Sequence, residues 1–188
     1  MRKLLRVILL LVVLTGVLLP ALGTVAYAQL RVNVMPGNQP GDVYPMTWPG
    51  RDMIVWGNVS GGTAPYAYQW DFGDGTAPVS GAVTNMKYIA VNHTYATQGP
   101  KLAVLTVTDG AANIDVDTVE IEVAPRTSEV EINAAIESGL RWLYLQQNVS
   151  GYWNDNYGYP IAATALSVLS FENQGHLPAN DYNKDIYA

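Results

Sequence analysis

The chain has 188 residues, sixteen of them acidic and ten basic, and no cysteine. Without cysteine it can form no disulfide and offers no thiol chemistry, so packing alone must stabilise it. Outside residues 1–28 the balance is seven basic against sixteen acidic residues, and this charge disfavours binding to nucleic acid or to anionic membrane surfaces.

Residues 1–28 have the features of an export signal. Basic residues at positions 2, 3 and 6 precede an apolar run, and Ala26-Tyr27-Ala28 supplies the small-x-small pattern before Gln29. The stretch between Arg6 and Arg31 carries no charge and is long enough to span a bilayer, so an uncleaved anchor is the alternative. In either case we expect the rest of the chain to be extracellular or at the cell surface. Only an uncleaved segment would contact the membrane.

Three separated motifs follow in order. Residues 60–75, SGGTAPYAYQWDFGDG, predict a turn, a strand and a tight turn that needs two glycines. Residues 92–99, NHTYATQG, and residues 105–109, LTVTD, come next. Together they resemble a polycystic kidney disease (PKD) repeat over residues 31–124. The resemblance implies an immunoglobulin-like extracellular β-sandwich, a binding or spacer module that is seldom a catalyst.

Apolar and polar residues alternate along the segments of residues 29–124, as expected of strands with one buried face. The register of the PKD resemblance and this alternation together predict which side chains point inward. The predicted inward residues are Met53, Val55, Gly57, Val59, Tyr66, Tyr68, Trp70, Leu105, Val107, Val119, Ile121 and Val123.

Paired carboxylates are the candidate metal ligands. Asp71 and Asp74 lie beside glycines, but we expect them to accept hydrogen bonds from turn amides while Gly73 and Gly75 supply positive φ angles. A calcium loop would need more oxygen ligands. The pair at positions i and i+2 of one strand, Asp115 and Asp117, is an equally weak candidate, and we expect both to be solvated.

A catalytic constellation is not apparent in the sequence. His93 lies within the NHTY motif, where the resemblance implies a structural role for it and for Tyr95, as for Trp70 and the DFGDG turn. No nucleophile elbow, zinc-protease helix or phosphate loop occurs in the chain. We therefore predict no catalytic residue and no cofactor.

Three apolar residues occupy strand positions where alternation expects a polar one: Trp56, Leu102 and Val104. Grouped apolar residues on the outer face of a sandwich mark a surface that another domain or molecule covers. We expect these three to form an interaction surface, with protein domains or subunits as the favoured partners.

Residues 125–127 form a linker, and Ser128-Glu129-Val130-Glu131 predicts a capping box that opens a helix. Along it Ile132, Ile136, Leu140 and Leu143 recur at helical spacing. A second, uncharged helix is expected to begin near Pro160.

The end of the first helix carries a second resemblance. Gly139 and Trp142 precede Gln147, Gly151 and Trp153 at the spacing of the QW motif of squalene cyclases and their prenyltransferase-like relatives. The resemblance implies an α/α toroid in which Gln147 and Trp153 tie one helix to its neighbour. One helical pair cannot bury its own apolar faces, so residues 128–188 are expected to be an incomplete part of a longer protein.

Three functions remain open. The first is a non-catalytic surface protein whose sandwich mediates adhesion, binds protein or carbohydrate, or spaces a helical domain. The second is the accessory region of a longer extracellular enzyme with a toroid. The third is a subunit of a surface layer or filament.

Overall fold

A computed structural model describes residues 28–35, 44–154 and 158–177, so the predicted signal segment lies almost entirely outside the described residues. The described part contains eight strands and two helices. The strands are β1 (Arg31–Val34), β2 (Met46–Thr47), β3 (Asp52–Ser60), β4 (Ala67–Asp71), β5 (Val79–Ala82), β6 (Ile89–Thr94), β7 (Gly99–Thr108) and β8 (Ile114–Val123). The helices are α1 (Ser128–Gln146) and α2 (Pro160–Glu172). Neither helix is apolar over the length that a bilayer crossing requires.

The strands form two sheets, with orders β1-β3-β6 and β2-β8-β7-β4-β5. Their pairings are antiparallel except for the short parallel pair of β2 and β8. Apolar side chains of both sheets meet in one core, in which Val55, Trp70 and Leu105 are fully buried. Because side chains alternate between the faces of a strand, the alternation in sequence becomes one buried face per sheet. The predicted β-sandwich is confirmed.

Two predicted inward residues lie at the margin of this core. Tyr66 precedes β4, and its hydroxyl donates to the Gly61 carbonyl oxygen at 2.8 Å. Tyr68 is half-buried and lies over Gly81 of the edge strand β5, where a Cβ atom would come within 2.9 Å of the tyrosine ring. Both tyrosines therefore cover the end and edge of the sandwich, because a phenol is large and must keep its hydroxyl near polar groups.

The N-cap of helix α1 lies one residue earlier than the sequence predicts. The N-cap is Thr127, whose hydroxyl accepts a hydrogen bond from the Val130 amide at 3.3 Å, so Ser128 is the first helical residue. Glu129 and Glu131 lie in the first turn, where carboxylates interact favourably with the helix dipole. Helix α2 begins at Pro160, whose missing N–H costs nothing at this position.

Candidate functional site

The glycine turn after β4 is held by its own carboxylates. Asp71 accepts a hydrogen bond from the Gly73 amide at 2.9 Å, and Asp74 accepts from the Thr76 amide at 3.0 Å and hydroxyl at 2.6 Å. Gly73 has φ of 68°, and a Cβ atom there would lie 2.3 Å from the Leu102 carbonyl oxygen. Only glycine fits this position, for both reasons. Gly75 also has a positive φ, of 82°.

His93 packs against the same turn. Its ring stacks on Phe72 with centroids 3.8 Å apart, its Nε2 lies 2.8 Å from Asp74 Oδ2, and Tyr95 meets it edge-on. The Tyr95 hydroxyl donates to the Phe72 carbonyl oxygen at 3.2 Å. Each of these contacts holds the turn against β6, which is the arrangement of a packing residue rather than of an exposed general base.

The charges around the turn follow from these contacts. Burial opposes ionisation of Asp74, but the hydrogen bonds from Thr76 and His93 outweigh it and lower the pKa of this carboxyl. Burial, together with the nearby Asp74 and Asp71 charges, raises the pKa of the Tyr95 phenol far above its ordinary value. Tyr95 therefore stays neutral. In the described ranges no group of three or more acidic or histidine side chains could hold a metal ion.

Asp115 and Asp117 differ from the sequence expectation of solvated carboxylates. Asp115 Oδ2 accepts a hydrogen bond from the Val32 amide at 2.7 Å, and Asp117 Oδ2 accepts from the Val34 amide at 3.0 Å. These two amides lie on the edge of β1 that faces away from β3. The carboxylates therefore join β1 of one sheet to β8 of the other and occupy an edge that would otherwise be open.

Burial raises the pKa of the Asp117 carboxyl, although the Val34 and Thr118 amides bond to it.

Trp56 is fully buried, and helix α1 of the same chain covers its side chain. The Trp56 ring lies 5.2 Å from the Tyr144 ring, and its Nε1 lies 3.4 Å from Glu137 Oε1. Beside it, Asn58 Nδ2 donates to the Tyr144 hydroxyl at 2.9 Å. Lys87 Nζ lies 4.5 Å from the Tyr144 ring centroid and donates to the Gln147 carbonyl oxygen. The outer face of β3 is thus an interface with α1.

Leu102 and Val104 do not join Trp56 in one surface. They lie on β7, in the other sheet, and the Leu102 side chain is 52% exposed. The three apolar residues therefore lie on two separate surfaces, Trp56 on one sheet and Leu102 with Val104 on the other, and do not form the single patch that we expected. Alternation could identify each residue as outward-facing, but it could not say which sheet each strand would join.

The QW-like residues connect the two helices. Gln147 Nε2 donates to the Gly151 carbonyl oxygen at 3.1 Å, and Trp153 Nε1 donates to the Leu143 carbonyl oxygen at 2.6 Å. The Trp153 ring packs 6.0 Å from the ring of Phe171. With Leu140 these two aromatics form a small second core. The contacts fix the loop after α1 against α2.

The apolar stripe predicted along α1 does not face the sandwich. The buried residues of α1 are Val130, Ala134 and Leu140. Of the predicted stripe, Leu140 and Leu143 pack into the second core, whereas Ile132 is 59% exposed and Ile136 is also exposed. Helix α2 also carries exposed apolar side chains. We call the exposed apolar side chains of the two helices the helical face, and they are Ile132, Ile136, Trp142, Ile161, Leu166 and Leu169.

One family model and several solved structures are similar to part of this chain. The PKD domain family model matches residues 55–123, from within β3 to the end of β8. Among solved structures, the PKD domain of the human VPS10 domain-containing receptor SorCS2 is 20% identical with a TM-score of 0.40, over 54% of this chain and 78% of that one. The PKD1 domain of the Vibrio cholerae metalloprotease PrtV is 22% identical with a TM-score of 0.29, over 43% and 98% of the two chains.

A PKD domain of a peptidase from a Thermoplasmatales archaeon is 13% identical with a TM-score of 0.35, over 52% of this chain and 94% of that chain. The search of curated proteins gives no match. The family match ends at Val123, before the helices, so the toroid resemblance stays a prediction.

Proposed function

We propose that this protein is an exported, non-catalytic module that presents a helical pair at the cell surface and binds an α-helical partner through it. The observation that carries the proposal is the helical face. Its side chains Ile161 and Leu166 are 86% and 67% exposed, and four further large apolar side chains of the two helices are exposed as well. Six large apolar side chains exposed on two helices favour an interaction site in a protein that remains in water.

The chemistry of the helical face favours a helix as its occupant. Residues 160–171 carry no charge, so a partner must bring an uncharged surface to them. Apolar side chains that recur at helical spacing form ridges and grooves that a further helix can fill. Helical pairs of repeat proteins bury their outer faces against neighbouring pairs in this way.

In this proposal the sandwich is the carrier. Helix α1 contacts it through Trp56, Asn58 and Lys87, so the helical face keeps a fixed orientation relative to the PKD domain. PKD domains are typical of extracellular proteins, and residues 1–28 have the sequence pattern of an export signal. We therefore assign the protein to the cell exterior, with protein partners rather than small-molecule substrates.

The test is whether the helical face causes association. We expect the purified chain to associate with increasing concentration in sedimentation velocity and to bind an apolar dye. The double variant Ile161→Ser, Leu166→Ser should lose both properties and keep its melting temperature. Leu102→Ser, which removes an exposed apolar residue from the sandwich, is the matched control and should behave like the parent chain. Association that is unchanged in the double variant would contradict the proposal.

A further inference from the structure

A cleft between the sandwich and α1 carries two arginines. It has a volume of about 110 Å³ and is bordered by Arg51 from the turn before β3 and by Arg141 from α1. Six Lys and Arg residues occur in the described ranges, and these two line one small cleft of a chain with a net acidic charge. The positive charges of Arg51 and Arg141 repel each other, so their position in one cleft requires a physical explanation.

Among the described residues neither guanidinium group forms an ion pair with a carboxylate, although the Asp52 charge partly stabilises Arg51. In residues 28–35, 44–154 and 158–177 the ion pairs are His93–Asp74 and Arg126–Glu131. Two carboxylates also border the cleft, but Asp52 accepts from Asn92 Nδ2 at 3.2 Å, and Glu137 lies 3.4 Å from Trp56 Nε1. Arg51 instead lies against the ring of Trp48, with its guanidinium carbon 4.9 Å from the centroid.

The two guanidinium groups repel each other in this arrangement. Burial and then the Arg141 charge lower the pKa of the Arg51 guanidinium, and Asp52 only partly opposes them. Arginine remains protonated despite such shifts, so the repulsion persists. Groups held at a cost to stability are concentrated at functional sites.

We propose that this cleft binds an oxyanion, a carboxylate or phosphate group, between Arg51 and Arg141. The planar guanidinium fork donates two parallel hydrogen bonds to either group, and a bound oxyanion would remove the repulsion between the two arginines. The cleft, with a volume of about 110 Å³, has room for one such group.

The walls of the cleft add an apolar element. Met35 and Met53, whose side chains are buried, and Ile54 border it. An anion with an apolar substituent, such as the carboxyl end of a peptide with an aliphatic last residue, would use both the charges and these walls. An inorganic phosphate would use the charges alone.

The experiment measures the melting temperature of the full chain in sodium acetate, N-acetyl-leucine and sodium phosphate, each against sodium chloride of equal ionic strength. We expect a saturable rise with at least one probe. A rise with acetate and a larger one with N-acetyl-leucine identify a carboxylate, whereas a rise with phosphate alone identifies a phosphate group. General salt stabilisation does not saturate and is the same in every variant.

The variants locate the site. Arg51→Gln and Arg141→Gln should each weaken probe binding about tenfold or more, the loss of one charge-assisted contact. Arg31→Gln, an exposed arginine on β1, should leave it unchanged. Without a probe, Arg141→Gln should melt at or above the temperature of the parent chain, because the repulsion is gone. If Arg141→Gln does not fold, Arg51→Lys keeps the charge without the fork and should weaken binding similarly. The proposal is overturned if no probe shifts the parent chain, or if Arg31→Gln loses binding equally.

Discussion

Replacing Trp56 with alanine tests whether the sandwich and α1 fold as one unit. The side chain has no exposed surface and lies between β3 and the Tyr144 ring of α1. A large-to-small change at a buried aromatic costs about 3–5 kcal/mol, and here it also removes the contact of the indole N–H with Glu137. Small domains have about 5–15 kcal/mol of total stability, so we expect this variant to be close to unfolding at ambient temperature.

The assay is urea unfolding followed by far-ultraviolet circular dichroism, with Trp142→Ala as the matched control. Trp142 is on the same helix, but its side chain is 60% exposed, and the substitution should change stability by no more than about 0.5 kcal/mol. The double variant of Trp56→Ala with Tyr144→Ala should show a coupling of about 0.5–1.5 kcal/mol, because the two rings are in contact. A loss below about 1 kcal/mol for Trp56→Ala, or equal losses for both tryptophans, would refute the interface.

Three further predictions concern the carboxylates and the helices. Folding lowers the pKa of Asp74, so this carboxylate stabilises the fold at pH values above its unfolded pKa, and the stabilisation is lost as the pH falls through the folded pKa. Folding raises the pKa of Asp117, so the stability of the fold increases as the pH falls from the folded pKa of this group to its unfolded pKa. In urea unfolding over a series of pH values, Asp74→Asn and Asp117→Asn should each remove one of these two pH dependences of stability. Finding that both carboxylates change stability with pH in the same direction would contradict the prediction. Millimolar calcium should leave the melting temperature unchanged, because Asp71 and Asp74 already bind turn amides, and a rise of several degrees in calorimetry would show the turn to be a calcium site. Residues 128–188 expressed alone should be poorly folded or self-associating, because Val130 and Ala134 are buried in the full chain and the helical face is open; a monomer with a cooperative melt would contradict it.

The sandwich was predictable because its signals are local. A strand with one buried face alternates with a period of two, and the glycine turn needs residues without a side chain at Gly73. Residues 77–91 gave no such signal. Strand β5 within them is short and almost fully exposed, so its residues are not constrained to alternate.

The surroundings of the outward residues were not predictable, because they depend on contacts distant in sequence. Trp56 is correctly outward by alternation, yet the helix that covers it begins some seventy residues later. The spacing of Asp115 and Asp117 matches that of the Val32 and Val34 amides, but only the fold brings β1 beside β8.

Helix α1 shows the limit of periodicity most clearly. Its apolar stripe has the pattern of a core face, but only Leu140 and Leu143 pack into a core, and Ile132 and Ile136 are exposed. The side of α1 that meets the sandwich instead carries small and amphipathic residues such as Ala134 and Tyr144. A small residue allows close packing, and the Tyr144 hydroxyl accepts a hydrogen bond from Asn58.

The most direct test of the proposed function is site-specific photo-crosslinking on the chain in the cells that produce it. A photoreactive amino acid is placed at Leu166 of the helical face or, as the control, at Leu102 of β7. We predict that position 166 crosslinks to a protein segment at residues three and four apart, the spacing of a helix, and that position 102 does not. Equal crosslinking from both positions, or none from position 166, would contradict the account.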